Sequence, residues 1–183
     1  MGKNFYALGL MSGTSMDGID ASIISSNGID DFEIIQNKYY KYDDKFINKL
    51  SDLKNKIDKF DDFKSHLNDL KSLEREITIL HAKFTNDILM KFKHKIDLVG
   101  FHGQTIYHNP DEKISKQLGD GKLLSQLIKK KVVYNFREND IKSNGNGAPL
   151  APIYHSAIAK KMNINNVISV SYTHLTLPTT LVV

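Results

Sequence analysis

Cysteine and tryptophan are both absent from the 183 residues, and proline occurs only 4 times. Without cysteine there is no disulfide, no thiolate nucleophile and no thiolate metal site, so any metal must be held by carboxylates, hydroxyls or histidine. No apolar run approaches the ~18 residues that a membrane helix needs. The N-terminus also lacks the basic region, apolar core and small-residue cleavage site of a signal peptide. The chain is therefore read as cytoplasmic, with no membrane partner. One-sided charge is missing as well: 25 basic and 21 acidic residues are interspersed and leave a net charge of +4. Nucleic-acid binders carry a concentrated basic patch, so no nucleic-acid partner is expected. With 40% hydrophobic and 25% charged residues, and 11 glycines without a period, the chain is neither disordered throughout nor collagen-like. Its length suits one domain of roughly 100–200 residues and is expected to be too short for a complete two-lobed enzyme.

What is present begins with an apolar, aromatic run at residues 4–10 (NFYALGL) that stops at small polar residues, 11–20 (MSGTSMDGID). A strand and a tight glycine-rich turn are predicted. Residues 21–25 (ASIIS) resume the apolar pattern, and Asn27-Gly28 favours a two-residue hairpin loop. A third strand over 32–40 should then pair antiparallel with the second. Residues 43–95 hold neither proline nor glycine; Phe46, Leu50 and Leu53 recur at helical spacing, as do Leu70, Leu73, Ile77, Leu80 and Phe84. Two or three amphipathic helices are predicted, the last over 67–92, with their charges on solvated faces. A buried strand at 96–101 ending at Gly103, a turn at 118–121, a helix over 122–130, a strand at 132–136, a helix over 150–161 and a strand at 166–170 follow. This order predicts an α/β fold, a mixed β-sheet with crossover helices.

Three segments carry chemistry. In MSGTSMDGID, Gly13 and Gly18 let the backbone turn tightly and leave the amides from Gly13 to Ser15 free for phosphate oxygens. Ser12, Thr14 and Ser15 add hydroxyls, and Asp17 and Asp20 add two carboxylates that a cation such as Mg²⁺ would bridge to phosphates. On local chemistry alone, a polar hairpin turn with nothing bound fits equally well. In GFHGQTIYHNP (100–110), His102, Gln104, Thr105 and His108 gather around Gly103. Neutral histidine and glutamine suit sugar hydroxyls and amides, because they donate and accept without the desolvation cost of a charge; the alternative is a loop that merely ends a strand. In NFRENDIKSNGNGAPL (135–150), Arg137 offers a planar fork for an anion, with Asp140 placed to orient it. The alternative there is an exposed Arg137–Asp140 pair worth ~0–1 kcal/mol.

MSGTSMDGIDA, GFHGQT, Gly119-Asp120, the Phe136-Arg137 segment with Asp140, and GNGAPL occur in the order and at the spacing of a known family. Over residues 6–170 the chain resembles anhydro-N-acetylmuramic acid kinase. The resemblance implies the superfamily of sugar kinases, heat-shock chaperones and actin, with residues 1–170 as the N-terminal, ribonuclease-H-like lobe and ATP between two lobes. It implies ATP-dependent opening and phosphorylation of the 1,6-anhydro ring of anhydro-N-acetylmuramic acid, giving N-acetylmuramic acid 6-phosphate in cell-wall recycling. ATP and Mg²⁺ would be the cofactors, a small-molecule sugar the substrate, and a homodimer the full-length state. Gly13, Thr14, Ser15, Met16, Asp17, Gly18, Ile19 and Asp20 would form the ATP-phosphate segment, with Asp17 near the metal. His102, Gln104, Thr105 and Arg137 would face the sugar. The alternative is a non-catalytic nucleotide-binding module of the same superfamily, in which those sugar-facing residues would have no task.

Two departures from the family pattern are mild: Asn135 precedes Phe136-Arg137 where the family has Asp, and Asn144-Gly145-Asn146-Gly147 replaces Gly-Gly-x-Gly. A third is larger. The family's later Asn-Ile-Gly-Gly and Asp-Thr-Gly-Pro-Gly segments, the second carrying the general-base Asp, do not follow residue 170. No catalytic residue is therefore expected within this chain, which is read as an incomplete and inactive N-terminal lobe. Residues 171–183 (SYTHLTLPTTLVV) contain no charged side chain and are read as a cloning or sequencing artefact, the alternative being an edge strand.

Overall fold

The computed structural model describes residues 4–29, 31–109 and 111–165. Leu8 and Leu10 of β1 (Phe5–Ser12) and Ile19, Ala21 and Ile23 of β2 (Gly18–Ser26) are buried. That is the period-two pattern of strands with one face on a core. β3 (Phe32–Lys41) completes an antiparallel meander in which Ser26 lies opposite Phe32. The connection is therefore longer than the expected two-residue loop. Asn27 Oδ1 accepts from the amides of Ile29 at 2.9 Å and Asp31 at 3.1 Å, which supports a wider turn.

The charged middle of the chain is helical. The Asp43 carboxylate accepts from Phe46 N–H at 2.8 Å and caps α1 (Asp44–Lys54), which buries Phe46, Leu50 and Leu53. After the single turn of α2 (Asp62–Ser65), α3 (Leu67–Lys91) buries Leu70, Leu73, Ile77 and Ile88 against the same core. Each such leucine or isoleucine contributes about 1.5–3 kcal/mol relative to exposure.

β4 (Leu98–Asn109) then runs parallel to β1. The expected short strand ending at Gly103 is instead one strand of 12 residues that passes through it. Gly103 makes this possible by bulging. Its φ is +71°, the register with β1 jumps between Leu10–Phe101 and Ser12–Gln104, and a Cβ there would lie 2.3 Å from the Leu118 carbonyl oxygen. β5 (Ile114–Leu118) pairs antiparallel with the second half of β4. Its polar sequence gave no strand signal. The helix expected over 122–130 is α4 (Gly121–Ile128). The strand expected over 132–136 is only β6 (Val132–Val133), parallel to the first half of β4, because Asn135 turns to φ +60° and Phe136 opens α5 (Phe136–Lys142). α6 (Leu150–Lys161) is the last described element.

The strand order is β3-β2-β1-β4-β5, with β6 also on β4. The α/β class, the mixed sheet and the crossover helices expected from the sequence are thus borne out. The strand expected at 166–170 and the tail at 171–183 lie outside the described residues. Among the described residues, no helix is long and apolar enough to cross a membrane.

Candidate functional site

The turn between β1 and β2 divides its residues between core and solvent. Met16 and Ile19 are buried, whereas Thr14, Ser15, Asp17 and Asp20 are exposed. The residue that takes the left-handed conformation is Met16, at φ +58°, and its amide donates to the Gly13 carbonyl at 3.1 Å. Gly13, expected to supply this freedom, has ordinary backbone angles and room for a Cβ, which would lie at an ordinary contact distance of 3.5 Å from Ser15 Oγ. Gly18 is needed because of crowding: a Cβ there would lie 2.4 Å from the Tyr40 carbonyl oxygen. Among the described residues the amides of Thr14 and Ser15 have no acceptor, and a turn that binds an oxyanion presents free amides of this kind.

Asp17 is fixed from two sides, by Ser15 Oγ and by the Tyr39 hydroxyl at 2.9 Å from Oδ2. These hydrogen bonds, that from Ser15 foremost, hold its carboxyl below the usual carboxylate range. Asp20 lies one turn of the pleat away in β2, opposite Met11 and Tyr39, where it borders a different cavity. Among the described residues no group of three histidine, aspartate or glutamate side chains is placed to hold a metal. An exposed, ionised Asp17 beside a phosphate-sized turn nevertheless fits Mg²⁺, which keeps several waters and takes one or two carboxylates along with phosphate oxygens.

Gln104 is 0% exposed. Its Oε1 accepts from Ser12 Oγ at 2.7 Å, and its Nε2 donates to the Gly13 carbonyl at 2.8 Å and to the Thr105 carbonyl at 3.3 Å. Ser12 Oγ in turn lies 3.0 Å from the Tyr42 hydroxyl, whose pKa burial pushes up so that it stays protonated. Gln104 and Ser12 therefore hold the base of the turn and present no polar atom outward.

His102 is 8% exposed and sits on the face of β4 that receives α5. Arg137 Nε donates to His102 Nε2 at 2.7 Å, and Arg137 Nη1 donates to the Gly147 carbonyl at 2.8 Å. Asp140 does not pair with Arg137; its Oδ2 accepts from Gly147 N–H at 2.8 Å, so both side chains clamp the same loop. Thr14, Thr105, His108 and Arg137 line one cavity of about 380 Å³, together with Lys54 and Asp58. The bulge at Gly103 matters here. Residues three apart in a regular strand face opposite sides, yet His102 bonds Arg137 while Thr105 meets it across the cavity. Thr14, Thr105 and Arg137 are thus brought together; Asp17, His102 and Gln104 stand around them without lining the same space.

Tyr39, Tyr42, Lys54 and Asp58 were not legible as site residues. The two tyrosines enter through strand pairing, with Tyr42 N–H donating to the Asp17 carbonyl at 2.9 Å. The other two enter through the path of the chain beyond α1, which no local pattern fixes.

The anhydro-N-acetylmuramic acid kinase family model matches residues 5–171. The chain belongs to this family. It is 52% identical over 164 residues to a protein of Pelagibacter ubique named anhydro-N-acetylmuramic acid kinase, covering 90% of this chain and 44% of that relative. Proteins of the same name from Brucella canis and Rhizobium etli are each 39% identical, with 85% of this chain and 43% of each relative aligned. The chain thus spans less than half the length of the curated kinases it matches. As a member of the family its motif segments acquire neighbours: the family's GTSMDG turn leaves β1 beside Gln104, and the HGQT segment forms the bulged middle of β4.

Proposed function

We propose that this chain supplies the phosphate turn and one wall of the sugar site of an ATP-dependent kinase acting on anhydro-N-acetylmuramic acid. In that reaction water adds across the 1,6-anhydro bond, leaving a hydroxyl on C1, and the freed 6-oxygen takes the γ-phosphoryl group of ATP. The products are N-acetylmuramic acid 6-phosphate and ADP. The observation that carries the reading is the convergence of Thr14, Thr105 and Arg137, from three separate elements, on one cavity beside the glycine-rich turn.

The free amides of Thr14 and Ser15 and the Thr14 hydroxyl meet phosphate oxygens, with Gly13 and Gly18 shaping the turn and Met16, Ile19 and Asp20 joining it to the strand. Asp17 holds Mg²⁺, which when bound neutralises charge on the phosphates. Thr105 and Arg137 orient the sugar, while Gln104 and His102 act behind them. The general base that takes a proton from the attacking water belongs to the part of the family's length that this chain does not span. Residues 1–170 form the N-terminal lobe of that enzyme, which works in the cytoplasm on a small-molecule sugar.

The assignment is tested by heteronuclear NMR on the ¹⁵N-labelled chain. Mg–ATP at millimolar concentration should move the amide signals of Thr14 and Ser15, and the anhydro-sugar should move those of Thr105 and the Arg137 side chain. If both ligands leave these signals in place, the assignment is wrong.

A further inference from the structure

Arg137 is held by a histidine where a carboxylate would be the ordinary partner. Its Nε always carries a proton, and it donates to His102 Nε2 at 2.7 Å; that ring nitrogen must therefore be unprotonated. The imidazole proton is then on Nδ1, which donates to the Gly103 carbonyl at 2.8 Å. Both ring nitrogens are thereby engaged, and the second anchor of the guanidinium is the Gly147 carbonyl. Nη2 is the one guanidinium nitrogen without a partner among the described residues, and Arg137 lines the cavity with Thr14 and Thr105. A carboxylate in the place of His102 would orient the fork equally well and would also neutralise it. A neutral imidazole orients it and leaves the full positive charge for the ligand.

We propose that His102 is a positioning residue: as the neutral Nδ1–H tautomer it aims the Arg137 guanidinium into the cavity, and protonation of the imidazole releases Arg137. This rests on the reading of that cavity as the sugar site. The bulge is part of the device, because Gly103 supplies the carbonyl that fixes the tautomer and brings His102 and Thr105 to the same arginine. Uptake of a proton at Nε2 would set N–H against N–H and cation against cation. Burial first, and then the charge of Arg137, hold the His102 pKa below the ordinary imidazole value. The other titratable groups around it are His81 of α3, Asp20 of β2 and Lys38 of β3, with His108 further along β4. Arg137 disfavours added positive charge on the ring, and Asp20 and Lys38 are the carboxylate and the ammonium that border the same cavity as His102.

The test compares the 183-residue chain with His102→Gln and His102→Leu. Glutamine keeps an acceptor for Arg137 Nε–H and cannot titrate; leucine keeps the volume and removes the acceptor. At pH 7 the ¹⁵N spectrum of the His102 ring should show a protonated Nδ1 and an unprotonated Nε2, and the Arg137 Nε–H signal should be slowly exchanging. That signal should persist in His102→Gln, vanish in His102→Leu, and broaden in the parent chain, but not in His102→Gln, as pH falls through the His102 titration. Affinity for anhydro-N-acetylmuramic acid, from shift titration, should fall about tenfold in His102→Leu, or about 1.4 kcal/mol, and stay within about threefold in His102→Gln. A protonated Nε2 at pH 7, or glutamine and leucine variants that behave alike, overturns the proposal. Should the sugar bind none of the three chains, the reading of the cavity falls, while the tautomer and the Arg137 signal still decide the positioning role.

Discussion

Gln104 makes its hydrogen bonds inside the protein, so its role is to set where the glycine-rich turn begins. Removing its amide takes one partner from Ser12 Oγ, which keeps the Tyr42 hydroxyl, and one from the Gly13 carbonyl, which keeps the Met16 amide. Each such hydrogen bond contributes about 0.5–1.5 kcal/mol net. Gln104→Leu should therefore lower unfolding free energy by about 2 kcal/mol in urea titrations and abolish the Mg–ATP-dependent shifts of Thr14 and Ser15. Unchanged stability and unchanged shifts would mean that the turn holds itself. The residue types at the site were legible in the sequence, because GTSMDG and HGQT have few bland explanations when they occur together. Their division of labour was not. Gln104 and His102 look alike on paper as neutral hydrogen-bonding groups, and only the bulge between them sends one inward to Ser12 and the other across to Arg137. Ser12, similarly, reads as a free hydroxyl next to a turn but is 1% exposed.

At the scale of elements, the segment around Gly119-Asp120 is a helix start and has no part in the cavity. The Asp120 carboxylate accepts from the amides of Lys122 at 2.9 Å and Leu123 at 3.0 Å, and its own amide donates to Thr78 Oγ1 at 3.0 Å. Asp120→Ala removes an N-cap worth about 1 kcal/mol. Thermal unfolding should register that loss while the ligand-induced shifts at Thr14 and Thr105 remain; loss of those shifts in a folded variant would give Asp120 a ligand-binding role. Strong periodicity made β1, β2, α1 and α3 readable, since Leu8, Leu10, Ile19 and Ile23 alternate and Phe46, Leu50 and Leu53 follow a helical stripe. β5 was not readable because Ile114–Leu118 is an edge strand with polar side chains, specified by its partner β4. The hydrophobic run of 132–136 ended early for a backbone reason, the left-handed Asn135, which side-chain pattern does not reveal.

For the molecule as a whole, acid is the condition to which the core is most exposed. His81 is fully buried, donates from Nδ1 to the Ile77 carbonyl at 2.8 Å, and has no partner for Nε2 among the described residues. Burial pushes its pKa down from 6.5 to about 4. Between those values the unfolded chain binds a proton that the folded chain refuses, so stability rises with pH. This contribution is complete above about pH 6.5 and is lost as pH falls toward 4, at about 1.4 kcal/mol for each pH unit. His102 and His108, also depressed by burial, act in the same direction. His81→Leu should flatten the dependence of melting temperature on pH between 4 and 7 by one proton's worth. An unchanged slope would show that His81 is not the group responsible.

Under the proposed function, the glycine-rich turn and the cavity beside it serve phosphoryl transfer to an anhydro-sugar. The most direct measurement joins residues 1–165 to the remaining length of the Pelagibacter ubique relative and follows ATP-dependent formation of N-acetylmuramic acid 6-phosphate. Product is expected, with kcat reduced at least about tenfold by Asp17→Asn, a loss of about 1.4 kcal/mol of transition-state stabilisation. A folded hybrid that binds Mg–ATP and forms no phosphorylated sugar would contradict it and would make this region a nucleotide-binding module without sugar chemistry.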